Sequence, residues 1–242
     1  MTENKADGLA VWLSTPNHIM VEIARDLGYR RFVLDLEHGL FDLEPTDKLV
    51  CLMKAMGLEV YAKVLGPLAV PIQQALDMGC DGVIIPHIGN VAHAREVTAA
   101  AKYPPLGSRS FAGMRTSHYG GADQTYYDDA NRNTRCFPMI ESAAALEDVE
   151  AILGLPSVDG VFVGPSDLSL SRGRGAYRNT DADRADLTRI ARAAVAAHKA
   201  WIMPGWSKAE RDFAQPLRPD FMLVVDEGGA LYTGLSQALQ AV

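Results

Sequence analysis

The sequence predicts an α/β protein with one (β/α)8 barrel domain spanning residues 1–242, and three observations point there. The length of 242 residues suits barrels that run to about 250 residues as one domain. Short apolar, β-rich runs alternate with longer stretches rich in Ala, Leu, Glu and Arg, in which apolar residues return at helical spacing. Most of the short runs are continuously apolar rather than alternating, as parallel strands covered on both faces require. A doubly wound sheet of similar length is the runner-up.

Leu9–Ser14 reads as the first strand and Asn17–Leu27 as its helix; Arg31–Glu37 and Glu44–Met56 form the second pair. Glu59–Val64 with Val70–Met78, and Gly82–Pro86 with Val91–Lys102, are the third and fourth. In LGY, MGL and MGC a glycine follows the helix and precedes the next strand, suiting a left-handed C-cap. Tyr103–Arg135 then breaks the rhythm with PPLGSRS, GMR, HYGG and DDANRN. It is too long for a barrel connection, so it is a functional loop or holds an embedded short helix. The alternation resumes with Cys136–Glu141 and Ala143–Leu153, Gly160–Gly164 and Ala182–Lys199, Ala200–Pro204 and Ser207–Gln215, and Phe221–Val225 and Gly228–Gln240.

Composition narrows the function. Thirty acidic against 23 basic residues give a net charge of −7, which argues against a nucleic-acid or anionic-membrane surface. No apolar run approaches the ~20 residues of a membrane span, and the polar opening MTENKADG has no apolar leader core. Cys51, Cys80 and Cys136 match neither a zinc spacing nor a disulfide framework. A cytoplasmic protein is expected.

In such a barrel the chemistry sits at the carboxyl ends of the strands. The polar residues there are Asp35, Glu37 and His38, then Lys63, His87, Glu141 and, just beyond strand six, Asp167. Glu141 and Asp167 come from neighbouring strands and would repel; a hard divalent ion relieves this and keeps water or substrate oxygens as its other ligands. Otherwise Glu141 caps the next helix and Asp167 stabilises its own turn. Asp35 and His38, three residues apart, can pair so that the carboxylate raises the basicity of the ring, equipping it as a general base. His87 either lines the site or caps the helix at Val91.

LDLEHGLFD, KYPPLGSR, MIES and VDGVFVGPSDLS, in that order and spacing, resemble the HpcH/HpaI aldolase family over nearly the whole chain. The resemblance implies a metal-dependent class II aldolase acting on pyruvate or a similar 2-oxo acid and an aldehyde. It implies hexamers built from trimers, with the last helix exchanged between subunits. By position, Glu141 and Asp167 match the metal ligands and His38 with Asp35 the base dyad. Gly164, Pro165, Ser166 and Asp167 match the turn that receives the substrate carboxylate, and Trp12 a pocket tryptophan. Arg109, in the GSR segment, is the better of two loop arginines for reaching a substrate carboxylate or a neighbouring subunit. Mg²⁺ or Mn²⁺ suits two carboxylates and water, and Co²⁺ fits too.

Two positions depart from the family. Lys63 stands where the family has an arginine, and Met139 where it has a glutamine. Lys63 replaces the arginine as a point charge on the enolate oxygen, or is a Schiff-base nucleophile, or marks a site that has drifted from aldolase chemistry. A decarboxylase of oxaloacetate type, a CoA-ester lyase and a non-catalytic metabolite-binding barrel are the alternative functions.

Overall fold

The computed structural model describes residues 5–241. Met1–Asn4, part of the opening read above as lacking a leader, lie outside the described residues, as does Val242. Eight parallel strands close into a barrel in sequence order, β1 to β8, with β8 pairing back onto β1. They are β1 Leu9–Leu13, β2 Arg31–Asp35, β3 Glu59–Lys63, β4 Gly82–Ile85, β5 Arg135–Ile140, β6 Gly160–Val163, β7 Ala200–Pro204 and β8 Phe221–Asp226.

The helices lie outside. α1 His18–Asp26, α2 Leu43–Ala55, α3 Ala69–Asp77 and α4 Val91–Thr98 follow the first four strands. The long segment before β5 holds a helix, α5 Gln124–Asn133, opened by Asp123 accepting the Tyr126 amide. The stretch after β5 is two short helices, α6 Ala143–Glu147 and α7 Val149–Leu153, split at Asp148. Beyond β6 a short helix, α8 Pro165–Ser171, precedes α9 Asp181–Ala196. α10 Lys208–Ala214 and α11 Glu227–Gln240 complete the ring. Gly28, Gly57 and Gly79 adopt positive φ between helix and strand, where a Cβ would be strained.

Two apolar clusters hold the fold. One lies between sheet and helices; the other fills the barrel with Ala10, Val33, Tyr61, Ile84, Phe137, Met139, Phe162, Ile202, Phe221 and Leu223. These interior residues obey the two-residue period of a strand. One further step up the same columns brings Trp12 above Ala10, Asp35 above Val33, Lys63 above Tyr61, Glu141 above Met139 and Gly164 above Phe162. The site is therefore the last rung of the barrel's own interior. Among the described residues no helix is long and apolar enough to cross a membrane.

Candidate active site

A cleft of about 200 Å³ at this mouth is lined by Trp12, Asp35, His38, Lys63, Met139 and the Gly164–Asp167 turn, among others. Lys63 is the hub. Its Nζ lies 2.5 Å from Glu37 Oε2 and 3.2 Å from Asp35 Oδ1, with side-chain exposures of 7, 10 and 8% respectively. It also stands 5.9 Å from the Trp12 ring centroid. Burial alone would raise the Glu37 carboxyl; the Lys63 ammonium and the His87 ring outweigh it and hold the pKa below its ordinary value.

The Asp35–His38 pairing takes a different form from the one expected. Asp35 Oδ1 accepts the backbone N–H of His38 at 3.2 Å, because a short polar side chain at this spacing reaches the turn amide before the ring. The imidazole projects outward, 68% exposed, and its nearest carboxylate partner is Glu37, at 3.6 Å. A close carboxylate–imidazole pair does form, between Glu37 Oε1 and His87 Nε2 at 2.5 Å. His87 holds φ at 58°, a left-handed conformation uncommon for a side-chain-bearing residue. There its backbone N–H reaches Glu141 Oε1 at 2.5 Å. The helix at Val91 is capped instead by Asn90, which accepts the His93 amide.

Glu141 is buried at the end of β5. Burial raises its pKa and the Asp167 charge adds to the rise, while the His87 amide and ring and Lys63 pull the other way. Gly164 makes the close packing possible: a Cβ there would stand 2.7 Å from Glu141 Cβ and 2.9 Å from its Oε2. Asp167 lies in the first turn of α8, which Pro165 opens; the first amides of a helix have no carbonyl partner within it. Among the described residues no three or more His, Cys, Asp or Glu side chains gather in a metal-binding arrangement. Two mutually repelling carboxylates fit a hard divalent ion that takes its remaining ligands from water and substrate.

Arg109 is a correction. The long segment folds down the outside of the barrel, and Arg109 is buried with NH2 2.9 Å from Asp77 and its guanidinium 4.7 Å from the Tyr103 ring centroid. Asp77 ends α3 just before β4 begins, so this arginine sits at the end of the barrel opposite the mouth. Arg115 likewise binds the Met78 carbonyl and Asp47. Sequence reasoning missed the far wall of the cleft, made by Tyr177, Pro204, Trp206 and Glu210. Pro204 ends β7 but carries no polar group for a scan of strand ends to pick out, and the other three lie on loops and a helix that such a scan passes over; the SKAE capping box was the available signal for Glu210.

Residues 9–204 match the HpcH/HpaI aldolase/citrate lyase family. The chain belongs to that family. Among its relatives, a 2-keto-3-deoxy-L-rhamnonate aldolase of Klebsiella pneumoniae is 34% identical over 75% of this chain and 67% of its own length. A 2-dehydro-3,6-dideoxy-6-sulfogluconate aldolase of Pseudomonas putida is 30% identical over 70% of this chain and 66% of its own, so the chain spans about two thirds of these relatives. The crystal structure of an HpcH/HpaI aldolase from Desulfitobacterium hafniense superimposes with a TM-score of 0.89 at 24% identity, covering 96% of this chain and 91% of that one.

Proposed function

We propose that this chain is a divalent-metal-dependent class II aldolase, one barrel domain that makes or breaks a carbon–carbon bond between a pyruvate-type 2-oxo acid and an aldehyde. The observation that carries the reading is the cleft that gathers Lys63, Asp35, His38 and Asp167 over Glu141. Glu141 and Asp167 are the residues to hold Mg²⁺, Mn²⁺ or Co²⁺, which when bound polarises the keto group as a Lewis acid.

The chain's own residues supply the rest. The Lys63 ammonium, fixed by Asp35 and Glu37, stabilises negative charge developing on the keto oxygen, an electrostatic task of the oxyanion-hole type. The Ser166 and Asp167 amides that open α8 receive the substrate carboxylate, and Trp12 closes the apolar side. His38, open to water beside Glu37, moves the proton of the aldol hydroxyl. Paired carboxylates favour the charge role of Lys63 over a Schiff base, which has no use for them.

The test is methyl proton exchange of pyruvate in D2O and pyruvate release from aldol substrates, with Mn²⁺ or with chelator. The expected result is exchange and cleavage that stop on chelation and return with metal, and no adduct on Lys63 after borohydride with pyruvate. Chelator-resistant cleavage with a trapped lysine overturns the mechanism. Carbon dioxide release from oxaloacetate without aldol cleavage assigns a decarboxylase instead.

A homo-oligomer, trimer or hexamer, is also proposed, with α11 exchanged between subunits. Leu231, Tyr232, Leu235 and Leu239 of α11 are 55–79% exposed, an apolar face that a partner's surface would bury. Light scattering on the wild type and on a Leu235→Glu, Leu239→Glu variant tests it; a monomeric wild type overturns it. Free cysteines agree with a cytoplasmic setting.

A further inference from the structure

The turn that leaves β4 is tied by three bonds to the chain that follows β5. The His87 amide donates to Glu141 Oε1 at 2.5 Å, the Ser142 hydroxyl donates to the Ile88 carbonyl at 3.2 Å, and the Val91 amide donates to Asp148 Oδ2 at 2.8 Å. Pro86 and Ile88, the two neighbours of His87, are both buried. The chain on either side of His87 therefore has a fixed destination.

Between these anchors His87 holds φ at 58°. That conformation lets one residue keep its N–H on Glu141 while the chain runs on to Ile88. At negative φ, an N–H held on Glu141 would send the chain away from the place that Ile88 occupies. A left-handed residue with a side chain persists only where its surroundings over-determine it, and such residues gather at functional sites.

The other side of Glu141 is set by Gly164, whose bare backbone lies so near that an added Cβ would stand 2.9 Å from Oε2. Oε1 is thus taken by the His87 amide, and Oε2 faces the start of α8, which carries Asp167. A carboxylate has about four lone-pair positions, so one bond to Oε1 orients the group without using it up. The amide is also a neutral donor, and it opposes an incoming cation less than an ammonium or guanidinium in its place would. The imidazole takes no part in this hold. Its Nε2 lies on Glu37 Oε1 at 2.5 Å, and its Nδ1 stands 3.6 Å from Glu141 Oε1, beyond hydrogen-bond reach.

We propose that His87 is a positioning residue for the metal carboxylate, acting through its backbone: the left-handed turn at this position aims its amide at Glu141 Oε1 and so leaves Oε2 free for a divalent ion. This rests on the metal-dependent aldolase reading above. The requirement at position 87 is then for a backbone conformation rather than for an imidazole. Glycine adopts positive φ without strain and asparagine adopts it more readily than most residues. A β-branched residue at this φ is a genuine outlier, so it must give up the amide bond or displace Ile88.

The experiment titrates the full chain, stripped with chelator, with Mn²⁺ followed by electron paramagnetic resonance, and checks folding of every variant by circular dichroism and urea unfolding. Glu141→Gln, which removes the ligand charge, establishes that the ion binds at this carboxylate. His87→Gly and His87→Asn should bind Mn²⁺ within about threefold of the wild type. His87→Val should bind about 10–100-fold more weakly, the usual loss when the support of a metal ligand is removed, and His87→Ala should fall between. Should the valine variant not fold, alanine against glycine carries the same comparison. Equal affinities across the folded variants, or a glycine variant as weak as valine or alanine, overturn the inference alone. A wild type whose Mn²⁺ affinity is unchanged by Glu141→Gln overturns the metal reading of Glu141 and this inference with it.

Discussion

Gly164→Ala isolates the packing on which the carboxylate pair depends. The added methyl would stand 2.7 Å from Glu141 Cβ and 2.9 Å from Oε2, against about 3.5–4.0 Å for comfortable carbon contact. The shortfall is about 1 Å. The Met139 methyl, 3.1 Å away, is the tip of a flexible chain and can yield. Glu141 Cβ cannot, because it is fixed to the backbone at the end of β5, and Oε1 is tied to the His87 amide. Relief must come from the start of α8, which carries Asp167. Overpacking of this kind costs about 1–3 kcal/mol, and disturbing the support of a metal ligand weakens affinity about 10–100-fold. Urea unfolding should show the first loss and titration with Mn²⁺ followed by electron paramagnetic resonance the second. A variant with wild-type stability and wild-type Mn²⁺ affinity would refute the packing argument.

Lys63→Met leaves Asp35 and Glu37 buried without their cation and should cost about 3–5 kcal/mol at neutral pH in urea melts. The Glu37 pKa is lowered in the fold, so its pairing stabilises above the unfolded value of about 4.3; the gap to wild type should narrow below that pH, and a gap constant down to pH 3 would contradict the pairing. His38→Ala should slow aldol cleavage about 10²–10⁴-fold while leaving pyruvate affinity intact; if His87→Ala has that effect instead, proton transfer belongs to the Glu37–His87 pair. Glu227 accepts from the Ser14 and Thr15 amides, the Thr15 hydroxyl and Asn17, and although burial alone would raise its pKa these bonds hold it low. Glu227→Gln should cost about 1.5–3 kcal/mol at pH 7, with the difference fading as pH falls below about 4.3; equal stability across that range would remove the anchor.

Continuous apolar runs and the glycines behind helices were enough to locate all eight strands, because parallel order and left-handed caps leave local traces. The helix at Pro165–Ser171 had a trace too, proline at its first position and an acid in its first turn, but it is too short for a periodic pattern. The strand-end residues of the cleft were legible because the two-residue period fixes which side chains face inward. Arg109 was not, since a loop arginine reveals its partner only when the chain is folded and Asp77 is beside it. The choice of the His38 amide over its ring by Asp35, and the gathering of Tyr177 and Glu210, depend on turn and loop geometry with no sequence period.

The eight columns of inward side chains have a bearing on how such a barrel can change its chemistry. Tyr61 and Lys63 belong to one column, as do Val33 and Asp35, or Met139 and Glu141, each pair separated by about 6.6 Å of strand. The lower member packs against its neighbours and holds the barrel shut; the upper member faces what enters the mouth. A replacement at the top rung, such as lysine for arginine at position 63, leaves the apolar layer beneath untouched. New reactivity can thus be tried on a scaffold whose folding is decided one rung below.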